Sequence, residues 1–345
     1  MLKVVICGGS GYTGSELLRL LVNHPDVLVT AITADRFVGK TVTDLFPHLY
    51  DYTDYVFEPL EKETLLEKGE VFFTALPHAA SQEVVDYFYR NGKAVIDLSA
   101  DFRLKDPFVY QQWYATPHNH IETLKDAVYG LPEIHRESIR GASLVANPGC
   151  YPTSVILALY PALKNGLVDV NHIVVDSKSG VSGAGRKGEV SLSFSELNGG
   201  FSAYGVATHR HTPEIDQELS WSAQKPVTVS FTPHLLPVNR GILSTVYAEL
   251  SANVDLDEVL SLYERTYEND PFVMVLEKGR FPDIKNVRGT NYCQIGIAIN
   301  RKNTLIVVSV IDNLIKGASG QAVQNMNIVY NLDETTALKA LAVLP

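Results

Sequence analysis

One cysteine lies in a short segment whose residue types favour nucleophilic chemistry. Cys150 is the fourth residue of N-P-G-C-Y-P-T at 147–153. The proline and glycine before it predict a turn, and Pro152 predicts the first position of a helix over Ser154–Leu163. A helix N-terminus favours thiolate, the reactive form of the side chain, over thiol. A buried structural cysteine is the alternative, but a turn this rich in proline and glycine is an unfavourable position for a residue of the hydrophobic core. We therefore interpret Cys150 as a nucleophile.

Two histidines are candidates for the base that such a nucleophile needs. His209 and His211 flank Arg210, directly before Thr212-Pro213. Thr212 is the predicted N-cap of a following helix, with its proline at the first helical position. The positive end of that helix disfavours imidazolium and keeps a nearby imidazole neutral. The sequence leaves open which imidazole acts, and also the alternative that both are structural.

A glycine-rich loop near the N-terminus predicts a dinucleotide site. Gly9, Gly11 and Gly14 satisfy G-x-G-x-x-G within Gly8-Gly9-Ser10-Gly11-Tyr12-Thr13-Gly14, between the predicted strand Lys3–Cys7 and a predicted helix. In this context glycines let the backbone approach a pyrophosphate, and the helix N-terminus stabilises its charge. A tight turn that binds nothing is the alternative reading.

The end of the second predicted strand, Val27–Thr33, bears on which dinucleotide binds. Asp35 could hold the ribose hydroxyls of NAD, whereas Thr33 and Arg36 could hold a 2′-phosphate. Lys40 adds a second cation nearby. The cationic neighbours favour NADP, while solvated surface charges remain the alternative.

Further candidates follow other predicted strands. Leu76 precedes His78 just beyond the strand Val71–Ala75, and Arg103 ends the segment D-L-S-A-D-F-R at 97–103, where it could grip a phosphate. A second glycine-rich loop, Ser179–Lys187, contains Ser182, Gly183 and Arg186; it suits closure over a nicotinamide or an anionic substrate, and equally a surface loop. No histidine, cysteine and carboxylate cluster has metal-ligand spacing, so no metal is predicted.

Two domains are predicted. Alternating strands and helices predict a Rossmann-type doubly wound parallel sheet, an α/β fold, over residues 1–149 with a returning segment at 317–345. Residues 150–316 contain longer strands rich in β-branched residues, with a hairpin at Lys302-Asn303. They predict an α+β catalytic and dimerisation domain with a largely antiparallel sheet.

Bulk composition excludes several classes of partner. The 345 residues are 46% apolar and 20% charged, with a formal net charge of −10, which argues against nucleic acid and anionic membranes. Three scattered cysteines, no signal-peptide pattern and no apolar run of membrane-spanning length favour a reducing cytoplasm. We expect a homodimer or homotetramer.

Taken together, six motifs resemble the N-acetyl-gamma-glutamyl-phosphate reductases, the arginine-biosynthesis branch of the aspartate-semialdehyde dehydrogenase superfamily. The resemblance runs essentially end to end. Its most specific motifs are G-x-S-G-Y-T-G at 8–14, L-S-A-D-F-R at 98–103, N-P-G-C-Y-P-T at 147–153, G-x-S-G-A-G-R at 180–186, H-R-H-T-P-E-I at 209–215 and I-D-N-L-x-K-G at 311–317.

The resemblance implies an NADPH-dependent reduction of N-acetyl-5-glutamyl phosphate to the semialdehyde, with release of phosphate. It implies Cys150 as nucleophile, a base from His209 and His211, and Asn313 and Lys316 near the nicotinamide and thioester. The expected cofactor-binding residues are Gly8, Ser10, Gly11, Tyr12, Thr13, Gly14, Thr33, Arg36, Leu76, Ser182, Gly183 and Asn313. The expected substrate-binding residues are Arg103, Arg186, Arg210, Glu214 and Lys316.

Related functions remain as alternatives. Aspartate-semialdehyde dehydrogenases typically carry N-P-N-C at the nucleophile, and the reductase acting on carrier-linked aminoadipyl phosphate departs from the Y-P-T found here. Both comparisons favour the glutamyl substrate. A non-catalytic NADP-binding redox sensor, in which Cys150 is oxidised rather than acylated, is the alternative from another class.

Overall fold

A computed structural model describes residues 1–186 and 188–343 of the chain. Two compact units are distinguished by their internal contacts, the first comprising Met1–Pro148 and Ala318–Lys339 and the second comprising Gly149–Gly317 with the residues from Ala340 onward. The returning segment predicted at 317–345 overlaps the first unit at Ala318–Lys339, and residues 340–343 belong to the second unit. A contact that explains this is the bond from Arg288 Nη2 to the carbonyl of Val343, 2.6 Å long.

The first unit is built on a six-stranded parallel sheet with strand order β2-β1-β3-β4-β6-β5. Its strands are β1 Leu2–Cys7, β2 Val27–Ile32, β3 Val71–Thr74, β4 Ala94–Asp97, β5 Val128–Tyr129 and β6 Leu144–Ala146. Its helices before the chain leaves the unit are α1 Tyr12–Leu21, α2 Val42–Leu45, α3 Lys62–Leu66, α4 Gln82–Arg90, α5 Pro107–Tyr114, α6 Ile121–Asp126 and α7 Pro132–Ile139.

This sheet brings the predicted cofactor loops to one edge. Every residue of β3 is buried, as expected for a central strand covered on both faces. Phe72 of β3 stacks on Phe88 of α4 at 3.8 Å between ring centroids, which fixes that helix on the sheet. Because all strands run parallel, the segments that follow β1, β3, β4 and β6 lie at the same carboxyl edge.

The second unit contains a seven-stranded sheet with strand order β11-β12-β13-β10-β7-β9-β8. Its elements are α8 Cys150–Lys164, β7 Val168–Gly180, α9 Phe194–Leu197, β8 Ser202–Ala203, α10 Thr212–Ala223, β9 Val229–Leu236, β10 Ile242–Leu250, α11 Leu256–Tyr267, β11 Val273–Val275, β12 Cys293–Ile299 and β13 Thr304–Ile311. The pairs β7–β9 and β11–β12 are parallel and the other four are antiparallel, so the sheet is largely antiparallel. The predicted hairpin joins β12 and β13.

One helix of the second unit is buried along nearly its whole length. Residues Tyr151–Leu163 of α8 are all buried, and the helix packs on β7, β10 and β13 and against α10 and α11. A helix that is apolar all round belongs in a core rather than at a surface. The nucleophile candidate therefore stands at the end of a fixed element.

The chain returns to the first unit through a π-helical turn at Ile315–Ser319 and the helix α12, Gly320–Val329. Within the described ranges 1–186 and 188–343, no helix is both long enough and apolar enough to cross a membrane.

Candidate active site

Cys150 is the first residue of α8. Gly149 is the N-cap and supplies no side chain to cap the helix. The helix thus begins four residues before the predicted Ser154, with Pro152 at its third position; a proline is tolerated there because first-turn N–H groups have no partner within the helix. Cys150 is partly exposed, whereas Cys7 and Cys293 are buried. Burial raises the pKa of the Cys7 thiol to about 12, which makes that thiol inert.

The backbone before Cys150 is held by α10. Glu214, only 1% exposed, accepts a hydrogen bond from the amide of Gly149 at 2.8 Å. A Cβ atom built on Gly149 would lie 2.6 Å from Nε2 of His211, so this imidazole packs directly on the glycine. The N-cap of α10 is His211 itself and not the predicted Thr212, which is the first helical residue and makes no cap. Two residues of the H-R-H-T-P-E-I motif therefore meet the turn that carries the thiol.

His209 stands next to His211 in an aromatic cluster. The two imidazole centroids are 4.9 Å apart, and both rings contact Tyr151 edge-on. Nδ1 of His209 accepts the amide N–H of His211 at 3.1 Å, so a neutral His209 carries its proton on Nε2. Burial, and then the charge of Arg210, lower the pKa of His209 to about 4. His209 is therefore neutral at physiological pH.

The I-D-N-L-x-K-G motif also reaches Cys150. A Cβ atom built on Gly317 would lie 2.7 Å from Cβ of Cys150. The turn is fixed by the buried carboxylate of Asp312, whose two oxygens each lie 3.0 Å from a guanidinium nitrogen of Arg240. The same carboxylate accepts the amides of Gly289, Leu314 and Ile315 at 2.7–3.1 Å. Sequence reasoning missed both Arg240 and Asp312.

The predicted partners Asn313 and Ser182 are in direct contact. Nδ2 of Asn313 donates to Oγ of Ser182 at 2.9 Å, and Oδ1 accepts the amide of Gly241 at 2.8 Å. A Cβ atom on Gly183 would lie 3.6 Å from the same Nδ2. Lys316 is fully buried, with its Nζ 6.0 Å from the ring centroid of Phe272.

Two predicted cations are at the surface. Arg186 and Arg210 are both exposed. Lys187, the last residue of the predicted glycine-rich loop, lies outside the described residues. The binding of substrate by Arg186 and Arg210 stays a prediction.

The glycines of the glycine-rich loop in the first unit have two different roles. Gly8 has φ +91°, and a Cβ on Gly14 would lie 2.6 Å from the carbonyl oxygen of Gly8, so the loop itself requires both. A Cβ on Gly9 would collide with Ile32 at 2.2 Å. Gly11, the N-cap of α1, has no atom within 4 Å of such a Cβ. Its missing side chain leaves open space at a helix N-terminus, which fits a pyrophosphate.

Other predicted cofactor residues surround this loop. Oγ1 of Thr33, 1% exposed, accepts the amide of Gly8 at 3.1 Å, while Arg36 is exposed. Leu76 is half-buried, with Cδ2 3.2 Å from a Cβ built on Gly8. Ser10 and Thr13 are half-buried and Tyr12 is exposed.

Arg103 is buried and does not lie at the surface, where a phosphate ligand would be expected. It is 5% exposed, and its guanidinium donates to the carbonyls of Asn147, at 2.7 Å, and Leu98, at 3.0 Å. Asn147 is the residue from which the chain turns toward Cys150. Arg103 therefore stabilises the backbone at Asn147, and its predicted contact with a phosphate stays a prediction.

One group of possible metal ligands was invisible in the sequence. Asp169, His172 and Glu249 place three ligand-type atoms within 4.8 Å of one another. Glu249 comes from β10, far along the chain, so spacing could not reveal it. Nδ1 of His172 lies 3.4 Å from Asp169, ordinary ion-pair geometry, and two of the three residues are exposed. We assign no metal to this group.

Comparison with known proteins agrees with both units. A family model described as the semialdehyde dehydrogenase NAD binding domain matches residues 3–142, and one described as the dimerisation domain matches residues 150–313. A protein of Geobacter metallireducens named N-acetyl-gamma-glutamyl-phosphate reductase is 55% identical over 347 residues, covering 100% of both chains. The protein of that name from Pelobacter propionicus is 54% identical over the same length.

The chain belongs to the N-acetyl-gamma-glutamyl-phosphate reductase family. Solved structures support the fold: aspartate semialdehyde dehydrogenase II of Vibrio cholerae, complexed with ASA, has a TM-score of 0.73 at 18% identity and covers 96% of this chain and 98% of its own. The Candida albicans enzyme with NADP has a TM-score of 0.72 at 15% identity, covering 95% and 98%. The family resemblance and the fold class predicted from the sequence are thus confirmed.

Proposed function

We propose that this reductase-family chain converts N-acetyl-5-glutamyl phosphate to N-acetylglutamate 5-semialdehyde with NADPH, releasing phosphate, in arginine biosynthesis. The observation that carries the proposal is the partly exposed thiol of Cys150 at the first position of α8, with the imidazole of His211 against the preceding Gly149. Relatives that are 55% and 54% identical and are named N-acetyl-gamma-glutamyl-phosphate reductase support the choice of substrate.

The first half of the reaction needs a thiolate, a proton carrier and a leaving group. His211 takes the proton of the Cys150 thiol, and the thiolate attacks the acyl carbon. The carbon–oxygen bond to phosphate breaks, phosphate leaves with a proton from the imidazolium, and a thioester forms on Cys150. We assign this role to His211 because it packs on Gly149, while Nδ1 of His209 already accepts the amide of His211.

The second half is a reduction. A bound NADPH supplies a hydride, which a thioester accepts far more readily than a carboxylate does. The resulting hemithioacetal collapses to aldehyde and regenerates the Cys150 thiolate. The amide N–H groups of the first turn of α8 and the side chain of Asn313 are the proposed stabilisers of the tetrahedral oxyanion.

The choice of NADP over NAD belongs to the proposal. The open space beside Gly11 fits a pyrophosphate, and the exposed guanidinium of Arg36 is available to a 2′-phosphate. Thr33 would support the site through its bond to Gly8 rather than as a surface ligand. Comparing KM for NADPH and NADH in wild type and Arg36→Ala tests this: loss of the preference for NADPH is expected, and an unchanged ratio would contradict it.

The substrate-binding set is proposed in two groups. Arg103, Arg186, Arg210 and Lys316 supply cations for the phosphate and carboxylates of the substrate. Glu214 belongs with the positioning residues, since its buried carboxylate accepts the amide of Gly149.

A homodimer or homotetramer in the cytoplasm completes the proposal. Large apolar side chains in one segment of the second unit are 56–80% exposed: Val190, Phe194, Phe201 and Val206. A patch of this kind fits a second copy of the chain, and the matching family model is described as a dimerisation domain. A reducing compartment would also keep the nucleophilic thiol unoxidised. Light scattering of the purified chain tests assembly, and a monomer would contradict it.

The direct test compares substrates. Purified chain is mixed with NADPH and, separately, N-acetylglutamyl phosphate, aspartyl phosphate and a carrier-linked aminoadipyl phosphate, while nicotinamide absorbance is followed. We expect turnover with the first and loss of at least 1000-fold in Cys150→Ser, since the covalent route is removed. Turnover with aspartyl or aminoadipyl phosphate alone would assign a related reductase, and cofactor binding without any turnover would favour a redox sensor.

A further inference from the structure

A row of hydroxyl groups lies beneath α8 in the second unit. Ser177, Ser244 and Ser309 stand on β7, β10 and β13 and are direct cross-strand partners. Ser154 of α8 completes this serine row, with Oγ 3.0 Å from that of Ser244 and 3.1 Å from that of Ser309. Within the row, Ser177 contacts only Ser244, and their two hydroxyl oxygens are 2.7 Å apart. All four side chains are fully buried.

Proton counting gives the row a direction. A serine hydroxyl has one proton, and that of Ser154 is donated to Ser244. Ser309 must therefore donate to Ser154, and the thiol of Cys293, 3.5 Å away, donates to Ser309. Each hydroxyl that touches α8 is thus satisfied, which is the condition under which a buried polar chain rigidifies a core.

The buried surface of α8 is largely apolar, and Tyr263 and Tyr267 of α11 donate to its carbonyls about two turns beyond Cys150. Residues Tyr151–Leu163 are buried all round, and apolar burial is non-directional, so it does not by itself fix the rotation of the helix. No side chain caps the helix at Gly149. Ser154 lies one turn after Cys150, on the same side of α8. Ser154 therefore links the sheet to α8 one turn from the thiol.

We propose that Ser154 is a positioning residue for Cys150, and that its two hydrogen bonds to the sheet fix the orientation of the nucleophile. This inference rests on the proposed function of Cys150. Loss of the hydroxyl removes both bonds between the start of α8 and the sheet. Displacements of about 1 Å at a reacting atom can cost 100-fold in rate.

The test compares Ser154→Ala with Ser177→Ala, a matched control that removes a hydroxyl of the same row whose bond is to Ser244 of the sheet. Three quantities are measured: kcat and KM with the acyl phosphate, the pH profile of Cys150 alkylation by iodoacetamide, read by peptide mass spectrometry, and the urea midpoint of unfolding. For Ser154→Ala we expect kcat to fall about tenfold or more with KM nearly unchanged. The pH profile of alkylation should change in Ser154→Ala and remain that of wild type in Ser177→Ala.

Equal loss of stability in both variants, with kcat and the alkylation midpoint of wild type, would overturn the inference and leave the row a purely structural feature. If Ser154→Ala does not fold, Ser309→Ala, which removes one of the two partners of Ser154, decides by the same criteria. Activity retained in Cys150→Ser would instead defeat the proposed function, while alkylation of Cys150 in the serine variants would still report on the inference.

Discussion

Tyr267 donates its hydroxyl to the carbonyl of Leu157 at 2.6 Å, at the position where the nucleophile helix lacks a donor of its own. Pro161 lies four residues after Leu157 inside α8 and has no N–H to give. Tyr263 makes a similar bond to Ala158, at 2.8 Å, but there Ala162 retains an N–H. A side chain of α11 thus replaces the hydrogen bond that a proline removes from the helix carrying Cys150.

Tyr267→Phe should therefore destabilise the chain by about 1–3 kcal/mol, because it leaves a buried carbonyl without a donor. In a Pro161→Ala background the restored N–H can serve that carbonyl, so the cost should fall by about 1 kcal/mol or more. Urea unfolding of the double-mutant cycle measures this coupling. Tyr263→Phe is the control and should show no comparable coupling to Pro161; equal coupling for both tyrosines would contradict the account.

Gly149→Ala should nearly abolish activity. The new Cβ would lie 2.6 Å from Nε2 of His211, so the imidazole must move away from the turn that carries Cys150. We expect kcat/KM to fall about 100-fold or more. Gly188→Ala is the control, since its Cβ would meet no atom within 4 Å. Near-wild-type activity in Gly149→Ala would contradict the placement of His211 as the base.

Substitution by alanine should have different effects at two glycines of the glycine-rich loop. A Cβ on Gly14 would lie 2.6 Å from a backbone oxygen, so Gly14→Ala should lower both stability and cofactor affinity. A Cβ on Gly11 meets open space, so Gly11→Ala should retain the unfolding midpoint and raise KM for NADPH, because the methyl group enters the space proposed for the pyrophosphate. Isothermal titration with NADPH and thermal unfolding measure both. Unchanged affinity in Gly11→Ala would place the cofactor elsewhere.

Local patterns predicted most of the elements that position the site. The strand ending at Cys7, the glycine loop and the helix after it follow from periodicity and turn chemistry, and the same holds for the hairpin at Lys302-Asn303. Helix starts were less accurate. Pro152 suggests a helix that begins at that residue, but proline is tolerated throughout the first turn, and α8 begins at Cys150. Thr212 suggests an N-cap, but His211 occupies that position, without a capping hydrogen bond from its side chain.

Contacts between residues far apart in the sequence could not be predicted, because no local sequence pattern marks them. The Arg240–Asp312 pair joins residues 72 positions apart, and the serine row joins four separate elements. The burial of Arg103 against Asn147 could likewise not be predicted, because the two residues are 44 positions apart in the sequence. The family motif predicted roles for Asn313 and Lys316. The role of the Asp312 carboxylate, which fixes their turn, could be seen only in the structure.

The stability of the chain should depend on His209 below neutral pH. Its pKa is lowered from 6.5 to about 4 by burial and by Arg210. Between these values the unfolded state binds a proton that the folded state does not, so stability is full above pH 6.5 and is lost as pH falls toward 4. From pH 7 to pH 5 this amounts to about 2 kcal/mol. Urea unfolding of wild type and His209→Asn at both pH values should show a smaller pH-dependent loss in the variant; an identical loss would contradict the assignment.

We expect Cys150 to become acylated before any hydride is transferred. Mass spectrometry of the chain mixed with N-acetylglutamyl phosphate, with no nicotinamide present, tests this order of steps. We predict one acyl adduct per chain, located on Cys150 after proteolysis, absent in Cys150→Ser and discharged when NADPH is added. An unmodified Cys150 in a preparation that turns over with NADPH, or an adduct on another residue that NADPH discharges, would contradict the account.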